Sequence, residues 1–127
     1  MSSIRKKVLC VEDNSVNMLL VARIVEAEGH ELIKAEDGPA ALNILAEVVP
    51  DIILLDINLP GIDGLELARR FKADIRLAGV PLIATTAQVL VGDRERCLDA
   101  GCDDYLPKPL DIRKLREVMR NYLSNGQ

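Results

Sequence analysis

The chain has 127 residues with 16 basic and 20 acidic side chains, a net charge of -4 and a hydrophobic fraction of 49%. This length is typical of one domain, the hydrophobic fraction excludes disorder, and no apolar run approaches the roughly 20 residues that cross a bilayer. The acidic balance and the scarcity of aromatic residues on which bases could stack argue against nucleic-acid binding. The lack of a signal-peptide pattern predicts a cytoplasmic protein without membrane contact. We therefore expect one domain over residues 1–127, with a core from about residue 5 to about residue 124.

Short apolar segments recur along the chain and predict five strands. Three of them are nearly unbroken runs of Val, Ile and Leu, which is typical of strands that are buried on both faces of a parallel sheet. The five segments cover residues 8–11, 31–35, 52–55, 81–84 and 104–106.

The segments between these runs carry apolar residues at spacings of three and four, which predicts amphipathic helices. In the first helix we expect Val16, Leu19, Leu20 and Ile24 to face the core. Glycine follows the first and fourth helices, and Asp111 is placed to cap the fifth. The first four helices are predicted over residues 15–28, 38–47, 64–74 and 89–100.

The fourth predicted helix opens with three consecutive apolar residues, Val89, Leu90 and Val91. Not all three can face the core, so we expect one or two of them at the surface. An exposed apolar patch there is typical of a partner site, and a hydrophobic staple at the start of the helix is the alternative.

The three cysteines and the single histidine show no spacing typical of a zinc site or of a disulfide framework. Cys10 lies inside an apolar run and is predicted to be a small core residue. Reduced thiols fit the cytosol.

Five strands that alternate with five helices predict a (βα)5 domain of the α/β class, in which helices cover both faces of a parallel sheet. Right-handed crossovers leave few topologies, and we expect a doubly wound, flavodoxin-like sheet of order 2-1-3-4-5. The first and third strands are then neighbours, and ligands of such sheets bind at the carboxyl ends of the strands.

Acidic residues stand at the ends of these two neighbouring strands. Glu12 and Asp13 follow the first, and Asp56 follows the third. Three carboxylates so close repel one another, and a bound cation is the ordinary way to hold them together. Oxygen ligands favour a hard ion, of which Mg2+ fits best because it keeps several waters and needs few carboxylates.

The ends of the remaining strands supply hydroxyls and an amine. Thr85 and Thr86 follow the fourth apolar run, and Lys108 follows the fifth. A carboxylate beside Mg2+ can attack a phosphoryl group, while a lysine and a hydroxyl stabilise the transferred oxygens. Because no Walker motif and no Gly-rich dinucleotide loop occurs, we expect the chain to receive phosphate rather than to bind ATP.

Four motifs then carry a resemblance to a known family: VEDN at residues 11–14, LLDINLPGIDGLEL at 54–67, ATTA at 84–87 and DDYLPKP at 103–109. In this order and spacing they are highly specific. Over nearly its whole length the chain resembles the receiver domain of two-component response regulators, of the stand-alone, single-domain type. The family has the five-stranded sheet of order 2-1-3-4-5 that the pattern of elements indicates.

The resemblance implies a phosphorylation site and a metal site. Asp56 matches the phospho-accepting aspartate, and Asp13 matches the acid that binds Mg2+ directly. Glu12 matches the neighbouring acid, which usually acts through a water molecule. Asn58 matches the residue whose backbone carbonyl completes the metal site.

The resemblance also implies a switch. Thr86 matches the switch hydroxyl, and Lys108 matches the lysine of the family, followed by a peptide bond to Pro109 that we expect to be cis. Tyr105 matches the aromatic residue that swings inward in the active state; a half-buried ring with its hydroxyl in water is the alternative.

The implied function is that of a phosphorylation switch. A phosphohistidine on a histidine kinase or a histidine phosphotransfer protein donates to Asp56 with Mg2+ in place, and helix four, strand five and helix five then change shape toward a downstream protein target. The chain is expected to catalyse only its own phosphorylation and dephosphorylation. We expect a monomer, with a phosphorylation-linked dimer as the alternative.

Two residues depart from the common pattern. Glu12 stands where many relatives carry Asp, and its extra methylene can shift a metal-bound water. Pro107 removes a backbone donor before Lys108, which an edge strand tolerates.

Asn58 and Gln88 occupy positions that tune the dephosphorylation rate in the family.

Four alternatives stay open at this point. The chain can be a receiver cut from a hybrid histidine kinase, or a degenerate receiver that binds partners without phosphorylation, against which the intact acidic and lysine residues speak. A haloacid-dehalogenase phosphatase needs a second Asp where Asn58 stands. A flavodoxin needs a loop rich in Ser, Thr and Gly after the first strand, where this chain has EDNS.

Overall fold

The structure is a computed structural model that describes residues 4–87 and 92–123. Its strands are β1 (Lys7–Val11), β2 (Glu31–Ala35), β3 (Ile52–Asp56), β4 (Leu82–Thr86) and β5 (Asp104–Pro107). Its helices are α1 (Ser15–Ala27), α2 (Gly38–Leu45), α3 (Gly64–Ala73), α4 (Asp93–Asp99) and α5 (Ile112–Leu123), with a 3-10 turn at Ile75–Leu77 after α3.

The sheet confirms the predicted fold class and strand order. Five parallel strands are arranged in the order β2-β1-β3-β4-β5, and each of the four neighbouring pairs is parallel. β1 and β3 are neighbours, with Val11 opposite Leu55. All residues of β3 and β4 are buried, as expected of central strands in a doubly covered sheet.

The core forms two apolar layers, one on each face of the sheet. Because side chains alternate along a strand, Leu9 and Val11 enter one layer, and Val8 and Cys10 enter the other. The first layer is covered by α2, α3 and α4, with Phe71 of α3 as its largest side chain. The second layer is covered by α1 and α5.

Short polar side chains cap the N-termini of α1, α2, α3 and α5. Asn14 Oδ1 accepts a hydrogen bond from Asn17 N at 2.9 Å at the start of α1. Asp37 and Asp63 cap α2 and α3 in the same way. The predicted cap of α5 is confirmed, since Asp111 Oδ1 accepts from Arg113 N at 2.8 Å.

The predicted core face of α1 is wrong for two of its four residues. Val16 and Leu19 are 73% and 54% exposed, whereas Met18, Val21 and Val25 are buried. The helix carries apolar residues at most positions, so more than one stripe has helical spacing, and contact with the sheet decides which stripe faces inward. The two exposed residues lie beside the carboxylates described below.

The predicted start of the fourth helix is also wrong. α4 begins at Asp93 and is preceded by Gly92, whose φ of 92° lies in the left-handed region that helical residues do not adopt. The apolar run Val89, Leu90 and Val91, like Gln88, lies outside the described residues.

The structure also bears on the cysteines and on membrane-spanning helices. All three cysteines are free and buried, which confirms the core position of Cys10. None of the helices in residues 4–87 and 92–123 has the length and hydrophobicity that a membrane span requires.

Candidate phosphorylation site

The three predicted carboxylates meet at the carboxyl edge of the sheet. Glu12 and Asp13 directly follow β1, and Asp56 is the last residue of β3. Oxygen atoms of the three side chains all lie within 4.8 Å of one another. The topology brings them together because parallel strands end at the same edge and β1 lies beside β3.

The cluster is unevenly exposed to water. Asp56 is 2% and Glu12 is 3% exposed, whereas Asp13 is open to solvent. Backbone donors orient the two buried acids: Asn58 N donates to Asp56 Oδ1 at 2.9 Å, and Asn14 N donates to Glu12 Oε2 at 3.1 Å. Burial raises the pKa of Glu12, and hydrogen bonds from Asn14 N and from Lys108 oppose this effect.

Lys108 joins the two buried carboxylates. Its Nζ lies 3.0 Å from Glu12 Oε1 and 3.0 Å from Asp56 Oδ2. Burial acts to lower the pKa of Lys108, but hydrogen bonds and charges from Asp56 and Glu12 outweigh it, so that this pKa is raised. The amine is therefore held in its charged form beside the carboxylate that ends β3.

The backbone around Lys108 is tied to the sheet. Lys108 N donates to Thr86 O at 2.7 Å, and the bond between Lys108 and Pro109 is cis, as predicted. Pro107 pairs with Thr86 at the outer edge of the sheet, where a missing N–H is tolerated.

The loop after β3 is held closely against α3. Ile57 N donates to Thr85 O at 3.0 Å. A side chain at Gly64, the first residue of α3, would overlap the backbone of Ile57. Glycine at that position lets α3 approach the residue that follows Asp56, and so positions the loop.

Thr86 is the predicted switch hydroxyl, and it ends β4 in a buried position with 1% of its surface exposed. Its Oγ1 lies 3.4 Å from Asn58 Oδ1, which also accepts a hydrogen bond from Ala87 N at 2.8 Å. The end of β4 is thereby connected to the loop after Asp56.

Comparison with known proteins decides the family. The sequence model of one protein family, the response regulator receiver domain, matches residues 8–120. The chain belongs to this family. The polar-differentiation response regulator DivK of Brucella anthropi is 41% identical over 121 residues, which are 95% of this chain and 98% of that relative.

Solved receiver domains have the same fold. The receiver domain of the sensor histidine kinase PA1611 of Pseudomonas aeruginosa, which holds a magnesium ion in its active-site cleft, has a TM-score of 0.86 at 34% identity, covering 96% of this chain and all (100%) of that one. A CheY-like receiver domain protein of Methanospirillum hungatei has a TM-score of 0.86 at 28% identity and covers 94% of each chain.

The receiver domain also carries a cleft that the motifs do not indicate. It has a volume of about 540 Å³ and lies beside Glu12 and Asp13. Its other walls come from the start of α1 and from the end of β2, which lies next to β1. The predicted strand order places the end of β2 beside this cleft. The α1 wall was not predictable, because it depends on which face of the helix packs against the sheet. The other lining residues are Ser15, Val16, Met18, Leu19, Lys34 and Glu36.

Tyr105 of β5 is partly buried and packs against the apolar layer covered by α2, α3 and α4. Its backbone N–H donates to Asp104 Oδ1 at 2.8 Å. The inward swing of this ring in an active state stays a prediction.

Proposed function

We propose that this receiver domain accepts a phosphoryl group on Asp56 from a phosphohistidine of a histidine kinase or a histidine phosphotransfer protein. The observation that carries this proposal is the convergence of three carboxylates with Lys108, whose amine lies 3.0 Å from both buried acids. An acceptor carboxylate, a cation beside it and a hydroxyl on the next strand form the set that phosphoryl transfer to aspartate requires.

Mg2+ is the proposed cofactor. The three carboxylates offer only oxygen ligands, and their oxygens lie close enough to share one small, hard ion. Asp13 and Asp56 would bind it directly, with the backbone carbonyl of Asn58 and, through water, Glu12. When bound, the ion neutralises charge on the oxygens of the transferred group. The related Pseudomonas receiver holds a magnesium ion in its own active-site cleft.

The transfer itself uses groups of this chain. A carboxylate oxygen of Asp56 forms a bond to phosphorus as the phosphorus–nitrogen bond of the phosphohistidine breaks, and the imidazole leaves with that electron pair. Lys108, whose raised pKa keeps it charged, is placed to pair with the transferred oxygens. The burial of Asp56 limits the access of competing water.

The cleft beside the site supports a protein as the phosphodonor. Val16 and Leu19 of α1 expose apolar surface next to Glu12 and Asp13. Exposed apolar side chains that surround an acidic centre offer burial area to a partner's surface, which a small phosphodonor does not need.

The output of the switch is proposed to lie on the face formed by α4, β5 and α5. Movement of Thr86 toward a phosphoryl group would pull on the end of β4, beside which β5 carries Tyr105. The domain in this proposal is a signalling switch in the cytoplasm that reacts only on itself. The same site serves a stand-alone regulator or a receiver that is part of a hybrid kinase.

The direct test is the mass of the intact protein after incubation with acetyl phosphate, with and without Mg2+. We expect one phosphoryl adduct that requires Mg2+, is absent in Asp56→Asn, and is lost in mild base as an acyl phosphate should be. Absence of an adduct in the wild type, both with acetyl phosphate and with a phosphorylated histidine phosphotransfer protein, would overturn the proposal.

A further inference from the structure

Asn58 makes a contact that neither the acidic cluster nor the metal site explains. Its side-chain Oδ1 accepts a hydrogen bond from Ala87 N at 2.8 Å, with Thr86 Oγ1 at 3.4 Å as a second, longer donor. Its own backbone N–H donates to Asp56 Oδ1 at 2.9 Å. One residue thus touches the phosphoacceptor on one side and the turn that follows β4 on the other.

Ala87 N and Thr86 Oγ1, which donate to this neutral amide oxygen, would bind a charged phosphoryl oxygen more strongly. Phosphorylation of Asp56 would replace a carboxylate of one negative charge by a phosphoryl group of about two, with three acceptor oxygens. Asp56 pairs with Thr85 in the sheet, so the new oxygens would appear next to the strand that carries Thr86. A hydrogen bond to an ionised phosphoryl oxygen is about twice as strong as one to a neutral amide oxygen.

We propose that the side-chain amide of Asn58 is a placeholder for the phosphoryl group. In the unphosphorylated domain it occupies the donors of Ala87 and Thr86, and phosphorylation of Asp56 displaces it from them. Asn58 is in this role a positioning residue that opposes activation. The inference rests on the proposed function, since it takes Asp56 as the phosphoacceptor.

If Asn58 is such a placeholder, its removal should strengthen the binding of a phosphoryl mimic. Removal of an active-site side chain ordinarily weakens ligand binding, but removal of the Asn58 amide destabilises only the unphosphorylated arrangement. Ala87 is exposed, so water can replace the amide oxygen at its N–H in the variant, and the buried Thr86 hydroxyl loses only a long contact of 3.4 Å. From the net worth of one hydrogen bond, Asn58→Ala is expected to bind a phosphoryl mimic about two- to tenfold more tightly.

Beryllofluoride, a mimic of the phosphoryl group on aspartate, is the probe. We would titrate it by NMR in the presence of Mg2+ into the wild type, Asn58→Ala and Asn43→Ala, the last being an exposed asparagine of α2. We expect tighter binding in Asn58→Ala only. Exchange of the Ala87 amide proton before addition of the probe should be slowed in the wild type and in Asn43→Ala, and fast in Asn58→Ala.

Two results separate the failure of the inference from the failure of the proposed function. Equal or weaker binding by Asn58→Ala, in a variant that unfolds at the wild-type temperature, overturns the placeholder. No Mg2+-dependent binding by the wild type overturns the proposed function itself. If Asn58→Ala does not fold, Asn58→Ser, whose hydroxyl is too short to reach Ala87, is measured in its place with the same expectation.

Discussion

At the residue scale, Lys108 is the group that allows two acids to be buried side by side. Glu12 and Asp56 are nearly inaccessible to water, and each has an oxygen 3.0 Å from the Lys108 amine. Without a cation, two adjacent buried carboxylates do not both stay ionised at neutral pH. Lys108 therefore stabilises the packing of these two carboxylates against each other.

Replacement of this lysine should destabilise the domain in a pH-dependent way. In the absence of divalent ions, we expect Lys108→Met to lose about 3–5 kcal/mol of unfolding free energy at pH 7, because the two buried carboxylates are left without a compensating charge. Burial already raises the pKa of Glu12, and removal of the lysine raises it further. A raised folded-state pKa of an acid contributes stability at low pH that is lost as the pH rises, so the deficit of the variant should shrink toward pH 5.

Urea unfolding at pH 5 and pH 7 with a chelator present measures this deficit. Lys114→Met is the matched control, because Lys114 is an exposed residue of the same type on α5. A deficit that is the same at both pH values would show that Glu12 does not take up the proton.

The residues of the site differ in how far the sequence predicts them. Glu12, Asp13, Asp56 and Lys108 are predictable because each ends or follows a strand, and the strand order then decides that they meet. The contact between the side-chain amide of Asn58 and Ala87 N is not predictable from the sequence, because it joins two loops whose side-chain geometry follows no sequence period.

At the scale of elements, α1 shows where pattern alone is insufficient. Its apolar residues form more than one stripe, and the expected stripe includes Val16 and Leu19, which face solvent. Strands are predicted more closely, because an unbroken run of Val, Ile and Leu is buried on both faces and needs no choice of side. The excess apolar residues of α1 are explained by the proposed contact with a protein phosphodonor.

The exposed side chains of α1 should matter only when the donor is a protein. We expect the double variant Val16→Ser, Leu19→Ser to accept phosphate from a phosphorylated histidine phosphotransfer protein about tenfold more slowly, because less apolar surface is buried in the complex. Its rate with acetyl phosphate should be unchanged. Transfer is followed by the mass of the phosphorylated protein over time.

Val49→Ser is the control for loss of exposed apolar surface. Val49 is 47% exposed and precedes β3, at the opposite edge of the sheet from the carboxylates. An equal slowing in Val49→Ser, or a slower rate with acetyl phosphate in the double variant, would argue against α1 as the donor surface.

At the scale of the whole molecule, fold and function impose opposite demands on one edge of the sheet. The alternation of strands and helices builds two apolar layers on a sheet of order β2-β1-β3-β4-β5, as the sequence predicts. The same topology gathers three carboxylates within 4.8 Å, where their repulsion opposes folding. An ion that binds there would relieve this repulsion only in the folded state.

Stability of the domain should therefore depend on the concentration of Mg2+. A ligand at about 100 times its Kd adds about 2.7 kcal/mol to the free energy of unfolding, which for a chain of this size raises the Tm by about 5–15 °C. Asp13→Asn should remove most of this rise. Its Tm without metal should not be lower than that of the wild type, because one of three repelling charges is gone.

Thermal unfolding by circular dichroism, with MgCl2 compared against NaCl of equal ionic strength, separates binding from screening. Asp99→Asn, an exposed acid of α4, should keep the full rise; if it loses as much as Asp13→Asn, the ion acts on the net charge of the molecule and not on the cluster.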